Sequence, residues 1–158
     1  MNRVRISLIT LLLTASGTAY GGQAEQSTEQ AELEKRFSER MSNVVMTGHF
    51  TVEGKETDQP LKPETYEIES VTKAQGDYWI FLVRIKYGAK DVKLPITLKV
   101  LWAGDTPMVT LTNLTIPGLG EGFTSRVLFY EDRYAGTWQH GKVGGHMWGR
   151  IEQQKPAE

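Results

Sequence analysis

From Val44 onward, apolar and polar residues alternate with a period of two, and Val, Ile, Thr, Trp, Tyr and Phe are enriched. This pattern predicts half-buried strands broken at regular intervals by turn residues. Strands are expected near 44–52, 64–73, 78–87, 93–102, 107–115, 122–130, 133–139 and 143–152. Gln75-Gly76, Gly104-Asp105, Glu131-Asp132 and His140-Gly141 suit two-residue hairpin turns, and 88–91 suits a four-residue loop.

Turns fix register, and register fixes which side chains share a face. A turn at 104–105 pairs Trp102 with Pro107 and Val100 with Val109. The loop at 88–91 pairs Ile85 with Leu94 and Val83 with Ile96, and a turn at 75–76 pairs Ser70 with Phe81 and Ile68 with Val83. One face then collects Ile68, Trp79, Phe81, Val83, Ile85, Leu94, Ile96, Leu98, Val100, Trp102, Val109 and Leu111. The opposite face is mixed: Ile80, Leu82 and Leu101 imply partial cover there. Eight sequential strands with short connections predict an all-β fold, an eight-stranded antiparallel up-and-down barrel over residues 44–152. Closure removes the sheet edges, which favours it over a sandwich or open roll.

Residues 22–43 are polar and rich in helix formers, with Leu33, Phe37 and Met41 in a narrow i, i+4, i+8 stripe. A short helix is expected there, packed on the barrel's edge or end and a candidate cover for the mixed face. Ser27 and Gln30 have capping-box spacing. Residues 153–158 read as a disordered tail. At the start, Arg3 and Arg5 precede the apolar run Ile6–Ala15 and the small-residue stretch "SGTAYGG". These are the three regions of a secretory signal peptide, expected over residues 1–21, so the domain is expected to be exported, periplasmic or extracellular. The chain has no cysteine, so core packing and hydrogen bonds must hold it together.

The glycine-rich stretch "RYAGTWQHGKVGGHMWGRI", Arg133 to Ile151, supplies the candidate site. A turn at 140–141 pairs Trp138 with Val143, Gly136 with Gly145 and Tyr134 with Met147. Glycine inside a strand marks a bend, a bulge or a close approach. A Gly136–Gly145 pair beside Trp138 and Tyr134 would leave a hollow in an aromatic wall, filled by a ligand or by a bulky side chain from across the barrel. The candidate ligand-binding residues are therefore Trp79, Trp102, Trp138 and Tyr134 for burial, with Gly136 and Gly145 making room. Ser70, Asn113 and Ser125 are the few inward polar groups that would orient the ligand.

Other chemistry is sparse. His49 and His146 point outward and His140 falls in a turn, so no metal site is expected. Carboxylates scatter over loops and outer positions with no inner pair for acid–base work, and no catalytic residue, enzymatic activity or cofactor is expected. Removing residues 1–21 leaves 16 basic and 19 acidic residues, a net charge of −3. Without a basic stripe, nucleic acid is not an expected partner, and no apolar stretch long enough to span a membrane follows the signal peptide.

A signal peptide, an eight-stranded meander and inner glycines beside tryptophans resemble the calycin group of barrels, the lipocalins and avidins, over residues 44–152. Gly48-His49-Phe50 stands where lipocalins carry Gly-x-Trp on the first strand, with phenylalanine in place of tryptophan. Arg150 lies in the region of their conserved arginine, although its register points outward. "YAGTW", Tyr134 to Trp138, is similar to avidin strands. The resemblance implies binding of a small molecule inside the barrel. The expectation is an exported barrel holding a small, mostly apolar ligand. The alternatives are a solid barrel that meets a partner through Trp148, His146 and Arg150 and, last, a metal-dependent enzyme using the histidines.

Overall fold

The computed structural model describes residues 19–55, 60–87 and 90–154. Most of the expected signal peptide and residues 155–158 of the expected tail lie outside the described residues. One helix, α1 (Ala19–Arg40), precedes eight strands. These are β1 (Val44–Phe50), β2 (Lys62–Gln75), β3 (Tyr78–Tyr87), β4 (Lys90–Ala103), β5 (Thr106–Ile116), β6 (Gly120–Tyr130), β7 (Arg133–His140) and β8 (Val143–Gln153). Each strand pairs antiparallel with the next, and β1 pairs with β8 from Val44–Gln153 to Phe50–Met147, closing an up-and-down barrel.

Three hairpins place a left-handed glycine first in the turn: Gly76, Gly104 and Gly141, with φ of 56°, 64° and 61°. The sequence pattern places the glycine second at 75–76 and 140–141, and in the structure both turns lie one residue further on. At the β7–β8 turn this shifts the pairing by two: Trp138 faces Gly145, Gly136 faces Met147 and Tyr134 faces Gly149. The β3–β4 pairing is also shifted by two from expectation, with Ile85 opposite Val92 and Val83 opposite Leu94. A shift of two changes partners and preserves faces, because the side-chain period is two. The expected inner face therefore survives: Ile68, Trp79, Phe81, Val83, Ile85, Ile96, Val100 and Val109 are buried.

Bulges do change faces. The register between β2 and β3 slips between Ile68–Val83 and Ser70–Leu82. Val71, not Ser70, takes the inward place opposite Phe81 and is fully buried. A second slip in β5, between Leu111 and Leu114, carries Asn113 in the left-handed region at φ 50°. Asn113 is exposed and its backbone N–H donates to Thr124 Oγ1 at 3.1 Å. Both residues were expected to face inward, and both are displaced by one extra residue in the strand.

Helix α1 closes one end of the barrel rather than covering its outer face, where Ile80 and Leu101 remain exposed. Phe37 and Met41, from the expected stripe, are buried, and Leu33 is half-buried. The Phe37 ring meets Trp79 edge-on at 5.3 Å and Trp102 at 5.8 Å, with Phe81 at 6.3 Å. The β2 bulge supports this seat: the Ser38 hydroxyl donates to the Val71 carbonyl, and Ser42 Oγ accepts from the Val71 N–H at 3.0 Å. Asn43, left-handed at φ 56°, turns the chain out of the helix and into β1. Because α1 begins at Ala19, Ser27 lies inside the helix and does not cap it; Gln30 donates instead to Glu34 at 3.2 Å.

Candidate functional site

Carrying the inward period of two back from Ile68 turns Tyr66 and Glu64 toward the interior. Glu64 is 7% exposed and is the one buried charged side chain among the described residues. The registers place Glu64 of β2, Gly48 of β1, Gly149 of β8 and Tyr134 of β7 in one transverse row. Three strand spacings, about 14 Å, separate its ends. Tyr134 and Glu64 close that distance by lying along the wall: Tyr134 Oη donates to Glu64 Oε1 at 2.8 Å. Tyr66 Oη donates to Glu64 Oε2 at 3.0 Å.

The two middle positions of the row need glycine. A Cβ on Gly149 would collide with the Thr47 carbonyl and stand 2.7 Å from Tyr134 Cε1, and one on Gly48 would collide with the Trp148 carbonyl and the Tyr134 hydroxyl. This is the cross-strand glycine pair of the barrel, and Tyr134, only 1% exposed, fills it. The anticipated Gly136–Gly145 hollow is absent. A Cβ on Gly136 would strike the Arg126 carbonyl, and one on Gly145 the Thr51 carbonyl, so these glycines permit close backbone approach.

Burial pushes the Glu64 carboxyl up to about 7, against the two tyrosine hydrogen bonds, which pull it down. Burial, followed by the neighbouring Glu64 charge, raises the Tyr134 phenol, so it remains a hydrogen-bond donor at neutral pH.

Glu64 and Tyr66 open onto a cavity of about 200 Å³ in the half of the barrel away from α1. Its walls are mainly aliphatic and aromatic, with Phe81, Val83, Ile96, Val109, Val127 and Met147 among them. The polar members are Glu64, Tyr66, Thr124, Ser125, Gln139 and His140. His140 ends β7, because the turn follows it, and stacks on Phe123 at 4.1 Å and 14°. Leu119, from the β5–β6 connection, also borders the cavity.

Of the sequence-predicted residues, Trp138 and Ser125 line this cavity. Trp138 meets Phe50 edge-on at 5.5 Å, and its Nε1–H donates to the Thr51 carbonyl at 3.1 Å. Trp79 and Trp102 sit at the opposite end against Phe37, where the Trp79 Nε1–H has no partner among the described residues. Tyr134 belongs to the glycine row. Ser70 and Asn113 take no part in lining the cavity. His49 lies opposite Trp148 and His146 opposite Thr137 on the outer wall. No cluster of three or more histidine or carboxylate side chains suited to a metal occurs among the described residues. No helix among them is long and apolar enough to cross a membrane.

Sequence reasoning missed Glu64, Tyr66 and His140. Glu64 and Tyr66 are in phase with Ile68, which was the available signal. No protein-family model, curated protein or solved structure matches this chain.

Proposed function

We propose that this protein is an exported, non-catalytic β-barrel that holds a small, mostly apolar molecule in the half of its interior that α1 leaves open. The observation that carries the reading is the cavity itself: apolar walls with a few convergent polar groups, one of them a buried carboxyl of raised pKa. That combination favours a binding site over a packed core. An eight-stranded barrel has an interior that side chains can just fill or that can hold one small ligand. Here side chains fill the α1 end, and the other end encloses a cavity. Export rests on the charged start, short apolar run and small-residue stretch within residues 1–21. The calycin resemblance agrees with the architecture and with this use of the interior.

Native mass spectrometry of protein recovered from its own host tests the reading. A bound species of small mass is expected, and it should be lost in Ser125→Leu, whose larger side chain enters the cavity while the fold is kept. Protein that is uniformly ligand-free and that takes up no apolar probe would contradict it. The rival, a partner-binding barrel, rests on the outer row Leu128, Ala135 and Trp148, in which Leu128 and Trp148 are exposed. It predicts an assembly larger than a monomer that Trp148→Ser dissolves.

A further inference from the structure

Glu64 is an unusual residue to place in an apolar wall. Burying a carboxylate is costly unless it is paired, and replacing a buried ionic group with apolar packing is often neutral or stabilising. Here the chain retains the carboxylate, and Tyr134 reaches it across Gly48 and Gly149, where a Cβ would meet both a facing backbone carbonyl and the Tyr134 side chain. An ionised carboxylate offers about four acceptor sites. Two hydroxyls are seen to use it, one on each oxygen. No ion pair reaches Glu64 among the described residues. The cations on the adjacent strand are engaged outside the barrel: Lys86 with Glu67, and Arg84 with Asp91 at 2.6 Å.

Tyr66 faces Glu64 from β2 and Tyr134 from β7. The row brings only Gly48 from β1 and Gly149 from β8, neither titratable. On β3, Lys86 stands opposite Thr65 and belongs to the outer wall. Behind the wall, His49, Arg133 and Arg150 border an outer groove that also touches Glu64. Within the cavity the other titratable side chains are Tyr66 and His140.

We propose that the occupant of this cavity is an apolar molecule bearing one cationic amine, with the Glu64 carboxylate as its counter-ion. This inference rests on the apolar-ligand reading above. The hydrocarbon part fills the aliphatic half-barrel, and the ammonium donates to the free acceptor positions of Glu64. Tyr134 and Tyr66 hold the carboxylate in place from the other directions. An anionic headgroup would meet a like charge in a low-dielectric wall. A neutral hydroxyl would gain one hydrogen bond and leave the carboxylate unneutralised. The amine is therefore the headgroup that the wall selects.

The test is calorimetric titration of the purified protein at pH 8 with octylamine, octanol and octanoate, which share one chain and differ in headgroup. Octylamine should bind at least about tenfold more tightly than octanol, consistent with a desolvated charge pair. Octanoate should bind most weakly. In Glu64→Gln, octylamine should lose its advantage and bind within about twofold of octanol to the same variant. If octanol or octanoate binds as well as octylamine to the wild type, the amine assignment is wrong and the apolar cavity stands. If none of the three binds, the cavity reading itself fails. A pH series needs no variant. An alkylamine titrates near the lysine value of about 10, so it stays charged throughout. Octylamine affinity should rise at least about tenfold from pH 5.5 to pH 8 as Glu64 ionises, while octanol affinity stays flat. The rise should persist in His140→Asn. A flat octylamine profile, or one abolished by His140→Asn, would overturn the assignment.

Discussion

The two ends of this barrel have the same kind of wall and different contents. At one end Phe37 of α1 enters between Trp79 and Trp102 and meets Phe81 and Phe129, which border the cavity, with ring centroids 5.3 to 6.3 Å apart. That end is solid core. At the other, no helix among the described residues enters, and apolar walls surround a cavity whose buried charge is Glu64. Strand number alone therefore does not decide whether such a barrel is hollow. A helix seated at one end assigns half of the interior to stability and leaves the other half available. The polar investment follows the same division, since Glu64, Tyr66, Ser125 and His140 all lie in the open half.

The largest effect is expected from removing the plug. Phe37→Ala should cost about 3–5 kcal/mol, the range for deleting a buried phenylalanine ring. Urea denaturation measures it, and a loss below about 1 kcal/mol would show that the helix does not hold the solid end.

The open half should respond to pH instead. Glu64 is raised from 4.5 to about 7, so the folded state keeps a proton that the unfolded state releases between those values. Stability should therefore fall as pH rises through that window and level off above it. The drop attributable to Glu64 is about 3 kcal/mol at full ionisation. Glu64→Gln should remove this component and be the more stable protein at pH 8, because an amide can still accept from Tyr134. Parallel pH profiles for the two proteins would show that Glu64 does not titrate in this window.

A smaller loss is expected in the glycine row. Gly149→Ala puts a methyl group against Tyr134 and the Thr47 carbonyl, which should cost about 1–3 kcal/mol as an overpacked site. It should also weaken the Tyr134–Glu64 hydrogen bond, lowering the cavity's preference for amines in the same calorimetric series. The smallest effect belongs to the outer wall. His146 is exposed, and the Thr51 hydroxyl bonds its backbone N–H rather than its ring. His146→Ala should change stability by less than about 0.5 kcal/mol in thermal melts.

Much of this comparison was legible in the sequence, and the parts that were not have specific causes. Strand positions and the inner face follow from period two, and errors of two in register at β3–β4 and β7–β8 left the faces intact. Errors of one did not. The bulge after Ile68 exchanges Ser70 for Val71, and the left-handed Asn113 turns an expected inner amide outward. Neither bulge is marked by a glycine or proline. Glu64 was missed for a different reason. Its position in the alternation was correct, but a glutamate is read as outward unless its partner is known. That partner, Tyr134, is 70 residues away across two glycines. The rule that glycines mark close approach was sound, but the pair that matters is Gly48–Gly149 rather than Gly136–Gly145.

The central claim, one solid end and one receptive end, can be tested by methyl NMR during an octanol titration. Saturable shifts are expected at Met46, Met147, Val109 and Ile116 around the cavity, with little change at Val44, Val71 and Val100, which lie in the core outside it. Absence of saturable shifts, or equal shifts in both groups, would contradict the division of the barrel into core and cavity.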